Sequence, residues 1–232
     1  MKARWIGLVG LLLAITACKK DRGDLTIHFQ YEVDGQSVEM DTLRYMNAAG
    51  ERFSITHLEY YLCDLELEQE SGTAIMFADV WHEDISASGS IRLEGLPLGK
   101  YTGLKVFLGV DDARNVPGGL PNTIQNNAMV WPEPMGGGYH FMKLEGHWLD
   151  SLSQMDGFAM HLGKSGNQVG CSATLDLSIE EGANALDLTM DISEWFKGPH
   201  TYSLAQDGAY IMTDDSALMK LRVNGVDVFR QR

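Results

Sequence analysis

The chain has 232 residues, with 32 acidic against 18 basic side chains, a net charge of −14, and only three cysteines. So acidic a surface repels nucleic-acid phosphates, which excludes that class of partner. The length suits one large all-β domain.

The N-terminus reads first. Lys2 and Arg4 precede an apolar run from Ile6 to Ile15, and Ile15-Thr16-Ala17-Cys18 closes it with small residues and a cysteine. This is the pattern of an export signal, and the run is too short for a transmembrane helix, which takes about 20 apolar residues. The tetrapeptide resembles a bacterial lipobox, which implies cleavage after Ala17 and a lipid on Cys18. Residues 1–17 are read as a lipoprotein signal peptide. Their removal leaves 215 residues and, with Lys2 and Arg4 gone, moves the net charge from −14 to −16. The expected location is the cell envelope, lipid-anchored, periplasmic or outer-membrane, with the membrane as a partner through the anchor. Cys63 and Cys171 remain, in a compartment that permits oxidation. They form either a Cys63–Cys171 disulfide or two buried free thiols.

Residues 18–24 are polar and read as a tether, with the folded domain running from 25 to 232. Leu25, Ile27, Phe29, Tyr31 and Val33 alternate with polar partners, the pattern of a half-buried strand. Asp34-Gly35 turns the chain toward Val38–Leu43. Ile55–Glu68 is a long strand whose apolar parity changes near Leu62-Cys63, so a β-bulge is expected there. Further strands are Thr73–Val80, Ser90–Leu93 and Tyr101–Leu108. Asp111–Ala128 is a long irregular stretch, rich in glycine, proline and asparagine, and loops of that length are usually functional. A hairpin ends at His161, and clean alternation follows over Ala173–Ile179 and Leu186–Met190. Ile192–Lys197 reads as one helical turn stopped by Gly198-Pro199. Leu218–Val223 and Val226–Phe229, joined by Asn224-Gly225, read as a closing hairpin through a type I′ turn. The fold class is therefore all-β, an antiparallel β-sandwich with one long loop and at most a short helical turn.

The densest chemistry lies in Met129–Trp148, which holds two histidines, two tryptophans and three methionines. Trp131 precedes two prolines and the glycines Gly136 to Gly138, which together permit a tight turn. Strict alternation then puts Tyr139, Phe141, Lys143 and Glu145 on one face, and His140, Met142 and Leu144 on the other. The seven histidines show no local metal-ligand spacing, so a metal site must be assembled from distant strands. There is no Gly-x-Ser-x-Gly, no phosphate-cradling loop and no nucleophile–base signature, and the protein is expected not to be an enzyme. Asp111 and Arg114 are expected to form an ion pair.

The run around Trp131, the Gly-Tyr-x-Phe-x-Lys-Leu-Glu-Gly of Gly138–Gly146 and the His-Leu-Gly of His161–Gly163 resemble the MbnP family. Tyr45–Gly50, Thr56–Leu62, Leu108–Asn115 and Gly198–Thr201 match in the same order along most of the mature chain. The resemblance implies a β-rich periplasmic copper-binding domain. It also implies that histidine binds copper together with a tryptophan oxidised to kynurenine by a dihaem partner enzyme. On that basis the candidate metal residues are His161, His28, His200 and Trp131, the last as kynurenine precursor. Three departures stand beside them. The family's first-strand histidine aligns with Tyr31, near His28 but not on it. Glu133 occupies the family's second tryptophan position, and Arg222–Arg232 lacks the histidines many relatives carry. The alternative is an interaction or glycan-binding lipoprotein on the same scaffold, its metal site lost. The copper reading requires Trp131 and His161 to meet with His28, His140 or His200.

Overall fold

The computed structural model describes residues 21–87 and 89–232. The expected signal peptide and the expected lipidation site at Cys18 lie outside the described residues. Strands β1 (Arg22–Val33), β2 (Gln36–Ser37), β3 (Tyr45–Met46), β4 (Arg52–Phe53) and β5 (His57–Gln69) come first. They are followed by β6 (Ala74–Asp84), β7 (Ser90–Pro97) and β8 (Gly99–Leu108). A short helix α1 (Ile124–Ala128) precedes β9 (His140–Leu149), β10 (Met155–Gly163), β11 (Val169–Ile179) and β12 (Gly182–Asp191). The chain closes with α2 (Glu194–Lys197), α3 (Leu204–Asp207), β13 (Tyr210–Ile211), α4 (Asp215–Asn224) and β14 (Phe229–Gln231).

The strands form two sheets, one ordered β14-β12-β1-β2 with β7 on β1, the other β11-β8-β5-β9-β10-β13 with β6 on β5. The all-β sandwich holds, with pairing mostly antiparallel; β1–β12 and β10–β13 run parallel. Aromatic contacts lock the sheets face to face, Phe29 and Tyr31 of β1 meeting Tyr60 of β5 at 6.5 and 6.4 Å between ring centroids. Strand β1 begins at Arg22, inside the expected tether, because Gly23 and Asp24 already pair with Gly182 and Ala183.

Strand β5 organises the larger sheet. β6 pairs along one edge, while the other edge is divided, β9 taking His57–Tyr60 and β8 taking Leu62–Gln69. The parity change read in the sequence is a bulge at Asp64 against β8, where φ of 51° marks the extra residue. Near Tyr61 the two neighbours part, and Gly109 N–H, at the start of the stretch between β8 and β9, donates to the Tyr61 carbonyl at 2.8 Å. Tyr61 OH donates to Asn126 Oδ1 at 2.7 Å and Lys143 Nζ donates to the Ala128 carbonyl at 2.6 Å, so α1 lies over the sheet.

Two expectations fail together, the closing hairpin and the limit of one short helical turn. The closing hairpin is instead the ten-residue helix α4, because Asp214 accepts from the backbone N–H groups of Ser216 and Ala217 and caps its start. Its apolar residues Ala217, Leu218 and Leu221 then bury one helical face. Gly225 has φ −75°, not the positive value of a type I′ turn. It is glycine because a Cβ would overlap the Trp195 ring. Of the two readings left open for Cys63 and Cys171, the structure holds two buried thiols that are free among the described residues, not the disulfide. Cys63 pairs with Phe107 and Cys171 with Val106, so all of β8 lies between them. Two strand spacings separate Cα atoms by about 9–10 Å, beyond the reach of about 7 Å that a disulfide allows.

Candidate metal centre

The centre is built by a small hairpin outside the regular strands. His140 N–H donates to the Met129 carbonyl at 2.7 Å and Trp131 N–H to the Gly138 carbonyl at 2.9 Å, so Met129–Trp131 lies antiparallel to Gly138–His140. The turn between them needs glycine: Gly136, Gly137 and Gly138 have φ of 117°, 69° and 86°. At Gly138 a Cβ would also overlap Asn115, whose Oδ1 accepts Tyr139 N–H at 2.9 Å and holds the turn against the long loop. Asp111 and Arg114 form the expected ion pair at that loop's root.

A second bulge places His140. β10 pairs His161 with Lys143 and Leu162 with Met142, but Gly163 with His140, so β9 carries one extra residue at Phe141. Strict alternation puts His140 opposite Lys143; the bulge reverses this and brings it onto the outer face with His161. Phe141 turns into the core instead, fully buried. The rings of His140 and His161 stand 5.1 Å apart and nearly perpendicular, and Trp131 packs edge-on to His140 at 4.7 Å.

The His-Leu-Gly motif now has a reason at each position. His161 faces the centre, Leu162 points into the core, and Gly163 gives the indole its seat, since a Cβ there would overlap Trp131. Trp131 is buried and donates its Nε1–H to the Met135 carbonyl at 3.3 Å.

The imidazoles are held in complementary ways. His161 Nε2 is 2.7 Å from Glu145 Oε1, and hydrogen bonding to His161 is the main cause of the lowered Glu145 carboxyl pKa. With Nε2–H donating to Glu145, the lone pair of the neutral ring falls on His161 Nδ1, an atom that is buried with no hydrogen-bond partner among the described residues. His140 donates Nδ1–H to the Met129 carbonyl at 3.2 Å, leaving Nε2 as its lone-pair nitrogen. Burial, and then the neighbouring His161 and Lys143, push the His140 pKa down to about 4. His140 is thus neutral at physiological pH, the form that ligates metals.

Of the sequence candidates, the fold brings His161 and Trp131 together with His140. His28 is exposed on β1, in the other sheet, opposite Asp187 and Ser90. His200 is also exposed, its backbone N–H donating to Asn224 Oδ1 at 3.0 Å. Neither reaches the pair, because strand order assigns them to other elements. Glu145 went unnoticed; its signal was the shared strand with His140 and a cross-strand partner two residues before His161. Glu133 lies exposed in the turn, so the family's second tryptophan position faces solvent here. Among the described residues no three His, Cys, Asp or Glu side chains cluster closely enough to hold a metal ion.

A second histidine group shares the face. Glu59 Oε1 lies 2.6 Å from His82 Nε2 and its Oε2 3.2 Å from His57 Nε2, with Lys143 Nζ at 4.0 Å.

Fold and centre together define the class: a two-sheet β-sandwich whose larger sheet sets a pair of imidazoles beside one buried tryptophan. Residues 22–213 match the model of the MbnP family, and the chain belongs to that family. Among solved structures it is similar to MbnP from Methylosinus trichosporium, with a TM-score of 0.54 and 14% identity over 89% of this chain and 96% of that one. At that identity the likeness speaks for the fold alone. No curated protein matches the chain.

Proposed function

We propose that this protein is an exported, lipid-anchored copper-binding protein of the cell envelope, non-enzymatic, holding copper as cargo at His161 and His140 beside Trp131. The observation that carries the reading is His161 Nδ1, a buried lone pair with no donor to satisfy it. Such an unmet group costs about 1–3 kcal/mol, and a copper ion, well suited to imidazole nitrogen, is the kind of partner that recovers it. Glu145 on the opposite nitrogen fixes the tautomer and raises ligand basicity, the usual arrangement behind a metal-bound histidine. His140 contributes a neutral second nitrogen, and the Trp131 indole shields the pair from water. Family membership supports the periplasmic location, and Ile15-Thr16-Ala17-Cys18 supports the lipid anchor. Oxidation of Trp131 to kynurenine by a dihaem partner belongs to the same proposal. It would place new polar atoms beside His140.

Metal analysis of protein purified from envelopes of its native host, with and without His161→Ala, tests the reading. Copper in the wild type and its loss in the variant are expected. A wild type that stays copper-free under copper loading contradicts it. The second reading, a scaffold whose metal site has been lost, is favoured by Glu133 and by the absence of histidine from Arg222–Arg232. It expects no rise in thermal stability on adding copper, whereas a ligand of the native state must raise it.

A further inference from the structure

Three turns and the start of β1 gather at one end of the sandwich. Arg22 opens β1 there, opposite Pro97, and its guanidinium donates to the Gly95 carbonyl at 3.0 Å. Asp24 accepts Gly95 N–H at 3.0 Å and pairs with Arg92 at 2.9 Å, so the first residues of β1 are pinned to the end of β7. Leu98, the single residue between β7 and β8, is 38% exposed at the tip. Gly23 lies beside Gly182, which brings the β11–β12 turn alongside. Glu70 N–H donates to the Lys100 carbonyl at 3.0 Å, which adds the turn between β5 and β6. The charges here nearly balance: Arg22 and Lys100 stand among Glu70, Glu180 and Glu181, with Lys19 and Lys20 ahead of them in the sequence. Because the strand starts at Arg22, only residues 19–21 separate it from Cys18, and four extended residues span at most about 14 Å. The imidazole pair lies toward the other end. His161 is level with Glu59 through Lys143, and the run of β5 from Glu59 to Gln69 covers about 30 Å.

We propose that this end is the surface that rests on the lipid bilayer, so that the strands stand away from the membrane and the imidazole pair meets water about 30 Å above the headgroups. The inference rests on the lipid anchor at Cys18 and is independent of the metal. A reach of about 14 Å keeps the end at the bilayer surface. Since the end is nearly neutral, almost all of the net charge of −16 expected for the mature chain lies on the flanks, and an anionic leaflet repels a domain that lies flat on them. Leu98 and the basic side chains of the end suit a headgroup layer, one through a small apolar contact and the others through charge. A partner of the imidazole pair therefore approaches through water, from the side, and needs no segment within the bilayer.

The full chain, exported by a bacterial host and with its lipid verified by mass spectrometry of the N-terminal peptide, is reconstituted into vesicles of phosphatidylethanolamine and phosphatidylglycerol. A fluorescent label is placed at Leu98→Cys or Lys100→Cys in the anchored end, or at Leu152→Cys in the exposed β9–β10 turn, more than about 40 Å away along the strands. Cys63 and Cys171 are buried, so the parent chain labels weakly and gives the background. A nitroxide carried on the lipid headgroup quenches only labels near the surface. Over that separation, quenching at 98 and 100 is expected to exceed quenching at 152 by about fivefold or more. Equal quenching at the two ends, or stronger quenching at 152, overturns the proposal. So does an absence of quenching at 98 and 100 in protein whose lipid is present. Protein exported without a lipid on Cys18 removes the anchor reading and this inference with it, while the copper reading stands or falls by its own test.

Discussion

Two groups of histidines occupy the outer face of the larger sheet, joined by Lys143, and they differ in how their nitrogens are filled. In the first, Glu59 spends one oxygen on His57 and the other on His82. Burial opposes the charge on Glu59, but these hydrogen bonds and the nearby Lys143 win and hold its carboxyl at about 2, while His57 is raised in return, chiefly by its bond to Glu59. That group is a closed hydrogen-bonded network. In the second, Glu145 takes one nitrogen of His161 and the other stays empty in the interior. Under the proposed function, histidine density does not mark the metal site; an unfilled lone pair beside the neutral His140 ring does. Glu83, next along β6 from His82, completes the series. It has a buried, unpartnered Oε2, and burial pushes its carboxyl up to about 7.

The comparison can be broken in graded steps. Glu59→Ala strands two imidazoles, and urea unfolding is expected to show a loss of about 4 kcal/mol, the sum of two hydrogen bonds to a buried carboxylate. Copper affinity should stay within about threefold of the wild type if the groups are independent; its collapse in folded protein would make them one site.

Glu83→Gln is expected to act in the opposite direction. A carboxyl whose folded pKa is raised from 4.5 to about 7 favours the folded state fully below 4.5, and that contribution is lost as pH rises through 7. The neutral isostere should therefore gain about 3 kcal/mol on the wild type at pH 8 and almost nothing at pH 4. Equal gain at both pH values would show that ionisation is not the cause.

Gly163→Ala pushes a methyl group into the Trp131 indole and should cost about 2 kcal/mol, typical of overpacking, with a shift in tryptophan emission. An unchanged emission and stability would mean that the indole does not rest there.

Glu145→Gln is the mildest change. It preserves shape and weakens only the hold on His161 Nε2, so copper affinity should fall by about tenfold, or 1.4 kcal/mol, at nearly unchanged stability. The corresponding Glu59→Gln should leave copper affinity alone.

Much of the fold was legible because period-two alternation survives where one face is buried. β1, β11 and β12 follow from it directly, and the Asp64 bulge follows from the parity change at Leu62-Cys63. The C-terminus was not legible, since Asn224-Gly225 carries a turn signature that an aspartate cap and a buried helical face override. The centre was half legible. Trp131 and His161 stood out by motif, but His140 was hidden by a bulge that no local pattern announced, because Phe141 is apolar on either face.

The most direct measurement is the imidazole nitrogen spectrum of ¹⁵N-histidine-labelled protein, recorded anaerobically with and without one equivalent of diamagnetic Cu(I). The account expects the metal to move His161 Nδ1 and one nitrogen of His140, and to leave the Nε2 signals of His57 and His82 in place. Movement confined to His57 and His82, with His161 Nδ1 unmoved, would contradict it.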